Sequence, residues 1–393
     1  MNAPSFADWA LVFLQGLYRT QIALARVLHA LGLTSDADGQ AAWPWAHRIA
    51  LETLRIDAGL TRQLALAATA TALAIVLACI AVASHKWRVT SALAALAVAW
   101  FAPWPPSSLW LSPAVPTSFQ RDPAPFSVSN VMRGAHLYAQ HCAACHGADG
   151  RGEGPLAATL THWPPTFAGA LLARRLDGEL FWRVRHGTRD EHGASTMPGF
   201  AATLGPQDTW AVLDYLKALA AGSGAQAEGA WPVPVPLPAL DVRCGNAAPQ
   251  PLDHWREGQR VRIVALAPGA TPPTEDPRWQ TLLVMARGTP LAQPTGPARA
   301  DCVASTPDAW LAFATIAGVA PDALGGTQLL ADRRGWLRAR ALPGSAGWSD
   351  ADLLCRSDAA RPTVPAATGD PLTALLLRVD TEPVRDVQAG LPH

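Results

Sequence analysis

The stretch LALAATATALAIVLACIAVAS, from Leu64 to Ser84, limits what this chain can fold into more than any other. It carries no charge and is about 20 residues long, enough to cross a bilayer as a helix. So long an uncharged run is rare in a soluble core, and it reads as a membrane span. HKWR interrupts the apolar pattern, and VTSALAALAVAWFAPWPPSSLWL follows from Val89 to Leu111. Its apolar part is shorter, and Trp100, Trp104 and Trp110 suit the level of lipid headgroups. The simple expectation is a two-span helical hairpin over residues 61–111. Cys79, inside the first span, reads as a small apolar residue.

The rest of the chain divides by composition. Residues 1–60 read as a helical, partly amphipathic region, in which Arg19, Gln21 and Arg26 make a poor membrane span. The expectation there is a surface or interfacial helix. No basic stretch precedes it and no small-residue cleavage site follows a short apolar core, so no cleavable signal peptide is expected. Residues 112–129 are proline-rich and read as a tether. Residues 130–221 form a compact helical block. GSGAQAEGAWPVPVPLP, residues 222–238, reads as a second linker, flexible first and then stiff. From 239 to 393 the pattern alternates between strands, such as RVRIVALAP and TLLVMARG, and helices, such as PDAWLAFATIAGV. TQLLADRRGWLRARAL reads as strand, turn and strand, with the turn at Asp332–Gly335, and SDADLLCRSDA as a last helix with Ser349 as its N-cap.

Lys and Arg number 31 and so do Asp and Glu, and charged residues make up only 16 % of the chain. That balance excludes a nucleic-acid binder, which needs excess cations. Of the six cysteines, only Cys142 and Cys145 are close in sequence, which excludes a disulfide-dense scaffold.

Those two cysteines stand in AQHCAACHGADGRGEGP, where His146 follows the second directly. C-x-x-C-H is the attachment signature of a c-type haem. Two thiols one helical turn apart reach the two vinyl groups on one porphyrin edge. The next residue then places its imidazole under the iron. A zinc site would need four ligands, and no second C-x-x-C or H-x-x-x-H lies nearby. A thioredoxin-type dithiol usually follows a strand, whereas the helix-like NVMRGAHLYAQ precedes this motif. Pro155, after the glycine-rich turn, offers a carbonyl to the Nδ1–H of His146, as outer partners of metal-bound histidines do.

Gly134 and Tyr138 lie four apart on one helix face, and DTWAVLDYLKAL, residues 208–219, supplies an amphipathic partner with Trp210, Leu213, Tyr215 and Leu216. STMPGF contains Met197. Over roughly 90 residues this region resembles class I cytochrome c. The resemblance implies an all-α cytochrome fold and one covalent haem c, with His146 and Met197 as axial ligands. It also implies that the terminal helices cross at Gly134 and the Trp210/Tyr215 face. His186 and His192 are the alternative ligands, and either would give a bis-histidine haem of lower potential. A Met/His pair raises the potential and leaves no open axial position, which suits electron shuttling. For this family, haem attachment takes place on the outer face of the bacterial cytoplasmic membrane. Lys86 and Arg88 then face the cytoplasm in accord with the positive-inside rule, while Arg48, Arg55 and Arg62 stand against it.

The C-terminal pattern loosely resembles a thioredoxin-like α/β fold. VALAPGATPPTEDP stands where a catalytic C-x-x-C would be and holds no cysteine, and the C-x-x-x-C of copper-delivering relatives is also absent. Of Cys244, Cys302 and Cys355, either two pair in an oxidising compartment or all are core residues. The arrangement as a whole resembles the carboxy-terminal part of copper-resistance D-type membrane proteins fused to a cytochrome c, without their multi-span permease region. The expected function is a membrane-anchored periplasmic electron carrier rather than an enzyme. Its expected partners are the bilayer and periplasmic electron donors and acceptors. The alternative is a haem-bearing subunit of a thiol-redox or copper-handling system.

Overall fold

The computed structural model describes residues 6–50, 58–104, 106–169, 171–172, 175–286, 302–304, 306–345, 347–355, 370–382 and 384. The chain forms two compact units, Met1–Phe119 and Gln120–His393.

In the first unit, helix α1 spans Phe6–Ala30. The helical expectation for residues 1–60 fails beyond it. Asp36–Ala37 pairs with Gln40–Ala41 around Gly39, whose φ is 85°. His47–Arg48 pairs with Ser112–Pro113. Gly32, Gly39 and Pro44 explain the change, because glycine and proline break helical runs. The proline-rich stretch expected as a free tether is folded in its first half. Trp43 donates its backbone N–H to Pro116 at 2.8 Å, and its ring meets Phe119 edge-on at 4.6 Å. Thr117 and Ser118 are buried.

Helix α2 runs Ala58–Ala83 and α3 runs Arg88–Phe101, and the two pack together. Within α2, Arg62–Ala83 is long and apolar enough to cross a membrane, with mean hydropathy 2.5. Among the described residues it is the one such helix. The 14 residues of α3 span about 21 Å at 1.5 Å per residue, short of the ~30 Å hydrocarbon core. The second span therefore falls short of its expected length. Pro103 is the reason: Ala102 before it is forced to extended backbone, at φ −60° and ψ 137°.

The second unit opens with α4 (Val128–His141), capped by Ser127, whose hydroxyl accepts the Asn130 N–H. A single turn, α5 (Ala143–His146), follows. Next come α6 (Asp177–His186), a hairpin of β1 (Thr188–Arg189) and β2 (Ser195–Met197), and α7 (Pro206–Ala227). Pro206 opens α7 at a position where its missing N–H costs nothing. Alanine and leucine then carry the helix for 22 residues, about 33 Å.

The remaining strands are β3 (Asp241–Arg243), β4 (Gln250–Pro251), β5 (Val261–Leu266), β6 (Gln280–Met285), β7 (Cys302–Ala304), β8 (Gln328–Ala331) and β9 (Leu337–Ala341). They form one seven-stranded sheet in the order β9-β8-β5-β6-β7-β3-β4. β5, β6 and β7 are parallel neighbours, while β8 is antiparallel to β5 and β9 to β8. Every residue of β5 is buried, as a strand covered on both faces requires. Helix α8 (Ala309–Ala317) lies on one face. Helix α9 (Pro371–Thr381) packs with Leu330, Ala339 and Ala341 of the outer strands. Asp332 accepts N–H bonds from Arg334 and Trp336 and closes the expected strand–turn–strand. The helix expected after Ser349 is a short 3-10 turn over Asp350–Asp352, and the rest of the stretch expected as helix, from Arg356 on, lies outside the described residues.

The stretch expected as a second linker, flexible first and then stiff, 222–238, is packed into the fold instead. Helix α7 continues through it to Ala227. Ala218, Ala221, Ala225, Trp231 and Val235 enter the same core as Ile263, Leu282 and Phe313 of the sheet layer, together with Val128 and Val131 of α4. A Cβ on Gly222 would lie 2.1 Å from the Thr315 carbonyl oxygen, and one on Gly318 2.2 Å from that of Gly222. The glycines serve close backbone contact between α7 and α8, not freedom. Arg340 of β9 donates to the Ala317 and Ala225 carbonyls, tying the C-terminal ends of both helices to the sheet.

Candidate functional site

Helices α4 and α7 cross at Gly134. A Cβ there would lie 2.0 Å from the Ala211 carbonyl oxygen and 2.7 Å from Tyr215 Cβ. Only glycine allows this approach, so the crossing falls where the sequence placed it. Tyr138, one turn on, packs its ring 5.2 Å from Tyr215. Below the crossing, Phe181 stacks on Trp210 at 4.5 Å.

At Cys142 helix α4 breaks, with φ −120°, and the chain re-enters a single turn. Cys145 and His146 both donate N–H to the Cys142 carbonyl, at 3.1 and 2.9 Å. The two thiols and the imidazole thus share one helical turn. The glycine-rich loop then folds back over it: Gly152 donates to the His146 carbonyl at 2.8 Å and Gly154 to that of Cys145 at 3.1 Å. A Cβ on Gly154 would lie 2.4 Å from the Ala144 carbonyl oxygen.

Tyr138 fixes this turn. Its buried hydroxyl donates to the Gly147 carbonyl at 2.7 Å, directly after His146. The sequence marked Tyr138 only as part of a helix face. Tyr138→Phe keeps the ring but leaves the Gly147 carbonyl with only the longer bond from the Gly150 N–H, at 3.3 Å, and is expected to cost about 1 kcal/mol in urea unfolding.

The His146 ring is half-buried and stacks on Phe167 at 4.9 Å. Burial lowers its pKa, and the backbone carbonyl that works against this is that of Pro165. Pro155, the expected partner, is exposed in the turn after the glycine loop. Folding the 164–167 segment across Gly152 brings Pro165 to the ring instead, a long-range contact that no local spacing reveals. Among the described residues Nδ1 makes no well-aligned hydrogen bond.

Cys142 is pushed up to about 11 by burial first and by Cys145 second. A redox-active C-x-x-C lowers its attacking thiol instead. Cys142 and Met197 both lie against one apolar cluster that includes Tyr138, Phe167, Leu172, Phe181 and Trp210. The rival ligands sit outside it. His186 is exposed and stacked on Trp182 at 3.6 Å. The side chain of His192, at the tip of the β1–β2 hairpin, is 82 % exposed. Two thiols and an imidazole on one turn, beside an apolar wall carrying a thioether, fit a covalently held haem.

Comparison with known proteins agrees. Residues 129–216 match the family model described as Cytochrome C oxidase, cbb3-type, subunit III. The chain carries a cytochrome c domain. That family implies covalently bound haem c and haem-based electron transfer. No curated protein matches the chain. Among solved structures, the KustC0563 c-type cytochrome is 29 % identical, over 22 % of this chain and 95 % of that one, at a TM-score of 0.19. The Kuenenia stuttgartiensis reducing HAO-like protein complex Kustc0457/Kustc0458 is 21 % identical, over 32 % of this chain and 59 % of that one, at 0.22. This chain spans less than two thirds of that second structure.

Outside the cytochrome domain, Cys244 and Cys302 form a disulfide joining β7 to the turn after β3. Cys355 is fully buried, and its thiol is pushed up to about 12 by burial. It is inert.

Proposed function

We propose that the protein is a membrane-anchored electron carrier of the periplasmic side, with one haem c held by Cys142, Cys145 and His146 and capped by Met197. The single observation that carries this reading is the turn Cys142–His146, set against the same apolar cluster as Met197. The haem supplies one-electron chemistry. The chain fixes its edge through two thioethers, orients His146 through the Gly147–Gly154 loop and excludes water with Phe167, Phe181 and Trp210. The neutral thioether of Met197 favours ferrous iron relative to a second imidazole. The exposure of His186 and His192 supports Met197 over both.

Anchoring is supported by Arg62–Ala83 and by the large apolar side chains that α2 and α3 leave exposed, among them Leu73, Val76, Val82 and Leu93. The Cys244–Cys302 disulfide supports an oxidising compartment. The C-terminal sheet supports a thioredoxin-like reading through its β9-β8-β5-β6 order with β8 antiparallel. A thiol-redox role has little chemical support, because two cysteines are bonded to each other and the third is inert. Copper handling has no ligand cluster behind it: among the described residues no three His, Cys, Asp or Glu side chains gather to hold a metal.

The test is the ligand set. The oxidised protein is expected to show the weak far-red band of sulfur-to-iron charge transfer. Met197→Ala is expected to keep the haem, lose that band and bind carbon monoxide when reduced. Met197→His is expected to lower the reduction potential. An unchanged spectrum and potential in Met197→Ala would transfer the ligand role to His186 or His192.

A further inference from the structure

The segment entering the cytochrome domain carries a carboxyl that meets a second carboxyl on α7. Asp214 is buried to 3 % exposure. Its Oδ2 lies 3.4 Å from Asn130 Nδ2 on α4, and its carboxyl is in hydrogen-bond contact with that of Asp122. Asp122 Oδ1 accepts the Ala124 N–H at 2.8 Å. Its Oδ2 is shut off from water and, among the described residues, meets no N–H or O–H donor. Among the described residues the cation facing the pair is Lys217 on α7, and its Nζ is held 2.8 Å from Asp177 of α6. Three carboxyls therefore share one ammonium. Two of them touch in a site where two adjacent negative charges cannot both be sustained.

We propose that Asp122 and Asp214 share a single proton, and that this proton latches residues 120–125, ahead of the backbone bonds that tie Phe126 and Val128 to Ala239, onto α7.

The direction of its pH dependence follows from the groups that face the pair. Burial raises the Asp214 carboxyl to about 7; Lys217 opposes the rise and the Asp122 charge adds to it. Asp122 is raised as well, mainly by burial. When the segment lifts away, both acids regain water and return to their ordinary value of 3.8. Between 3.8 and about 7 the latched form holds a proton that the lifted form has released. Raising the pH through that window therefore favours lifting, by up to about tenfold per pH unit for one proton. Above the window the equilibrium is flat. Acidification seats the segment and neutrality loosens it, whether or not haem is bound.

The experiment is hydrogen–deuterium exchange of the full-length protein, following the peptide that covers residues 120–128 and correcting for the intrinsic exchange rate. The opening constant is expected to rise steadily from pH 5 to pH 7 and to level off by pH 8. Asp214→Asn, which is neutral at every pH and still offers a donor to Asp122, is expected to stay latched with a clearly reduced pH slope. Equal opening of the native protein at pH 5 and pH 8, or an unchanged slope in Asp214→Asn, would overturn the latch. Infrared spectroscopy of the native protein guards against misfolding of the variant. A protonated carboxylic acid band that titrates near pH 7 is expected, and a fully ionised spectrum at pH 5 would refute the shared proton. Both readouts are independent of the haem, so a protein that failed to carry haem would sink the electron-carrier reading and leave this one standing.

Discussion

Alanine at both Cys142 and Cys145 is expected to release all haem into the organic phase on acid–acetone extraction, whereas the native chain keeps its colour on the protein. Thioether bonds survive denaturation; the proposed axial coordination by His146 and Met197 would not. The double variant is also expected to lose helix in the first half of α7. There Trp210, Leu213 and Leu216 pack in a cluster against which Cys142 and Met197 lie, and a bound haem would add to that packing. The second half of α7 is expected to persist, because Ala218, Ala221 and Ala225 belong to the sheet's core. Circular dichroism with pyridine haemochrome assay reads both effects. Colour that stayed with the double variant through extraction would show that attachment lies elsewhere in the chain.

The second large effect is expected at Gly222. Valine there must displace the Thr315 carbonyl, which leaves 2.1 Å for its Cβ, and the backbone of Gly318 at 3.0 Å. Neither is a flexible side chain that can swing away. Overpacking of this kind costs about 3 kcal/mol or more. Gly318 is no refuge, since its φ of 66° already disfavours any side chain. Gly169→Ala, where a new Cβ meets nothing within 4 Å, is the control and is expected to change stability by about 0.5 kcal/mol or less. Equal urea midpoints for Gly222→Val and the native chain would mean that α7 and α8 are not in backbone contact.

Much of the site was legible because its signals are local. C-x-x-C-H spans one helical turn, and Gly134 with Tyr138 spans another, so spacing alone placed them on common faces. The strand–turn–strand around Asp332–Gly335 was legible for the same reason. What escaped depends on distant chain. Cys244 and Cys302 are 58 residues apart, and neither flank marks the other as its partner. Pro165 reaches His146 only because a later loop crosses Gly152. The 222–238 stretch misled through composition, which cannot separate glycines that loosen a chain from glycines that let two backbones touch. The short second apolar helix was partly legible: Pro103 was in view, and its effect on Ala102 sets where α3 ends.

Arg340 holds the last carbonyls of α7 and α8 with one guanidinium. A single helix is thus the rear wall of the cofactor pocket at one end and a filling piece of the α/β layer at the other. Excision near Gly222, where the amino-acid usage shifts, would cut through a packed interior and strand Trp231 and Val235 in water. Gln120–His393 is the compact unit that keeps this interior together. Any gene fusion or rearrangement that moves the redox centre has to carry its sheet along with it.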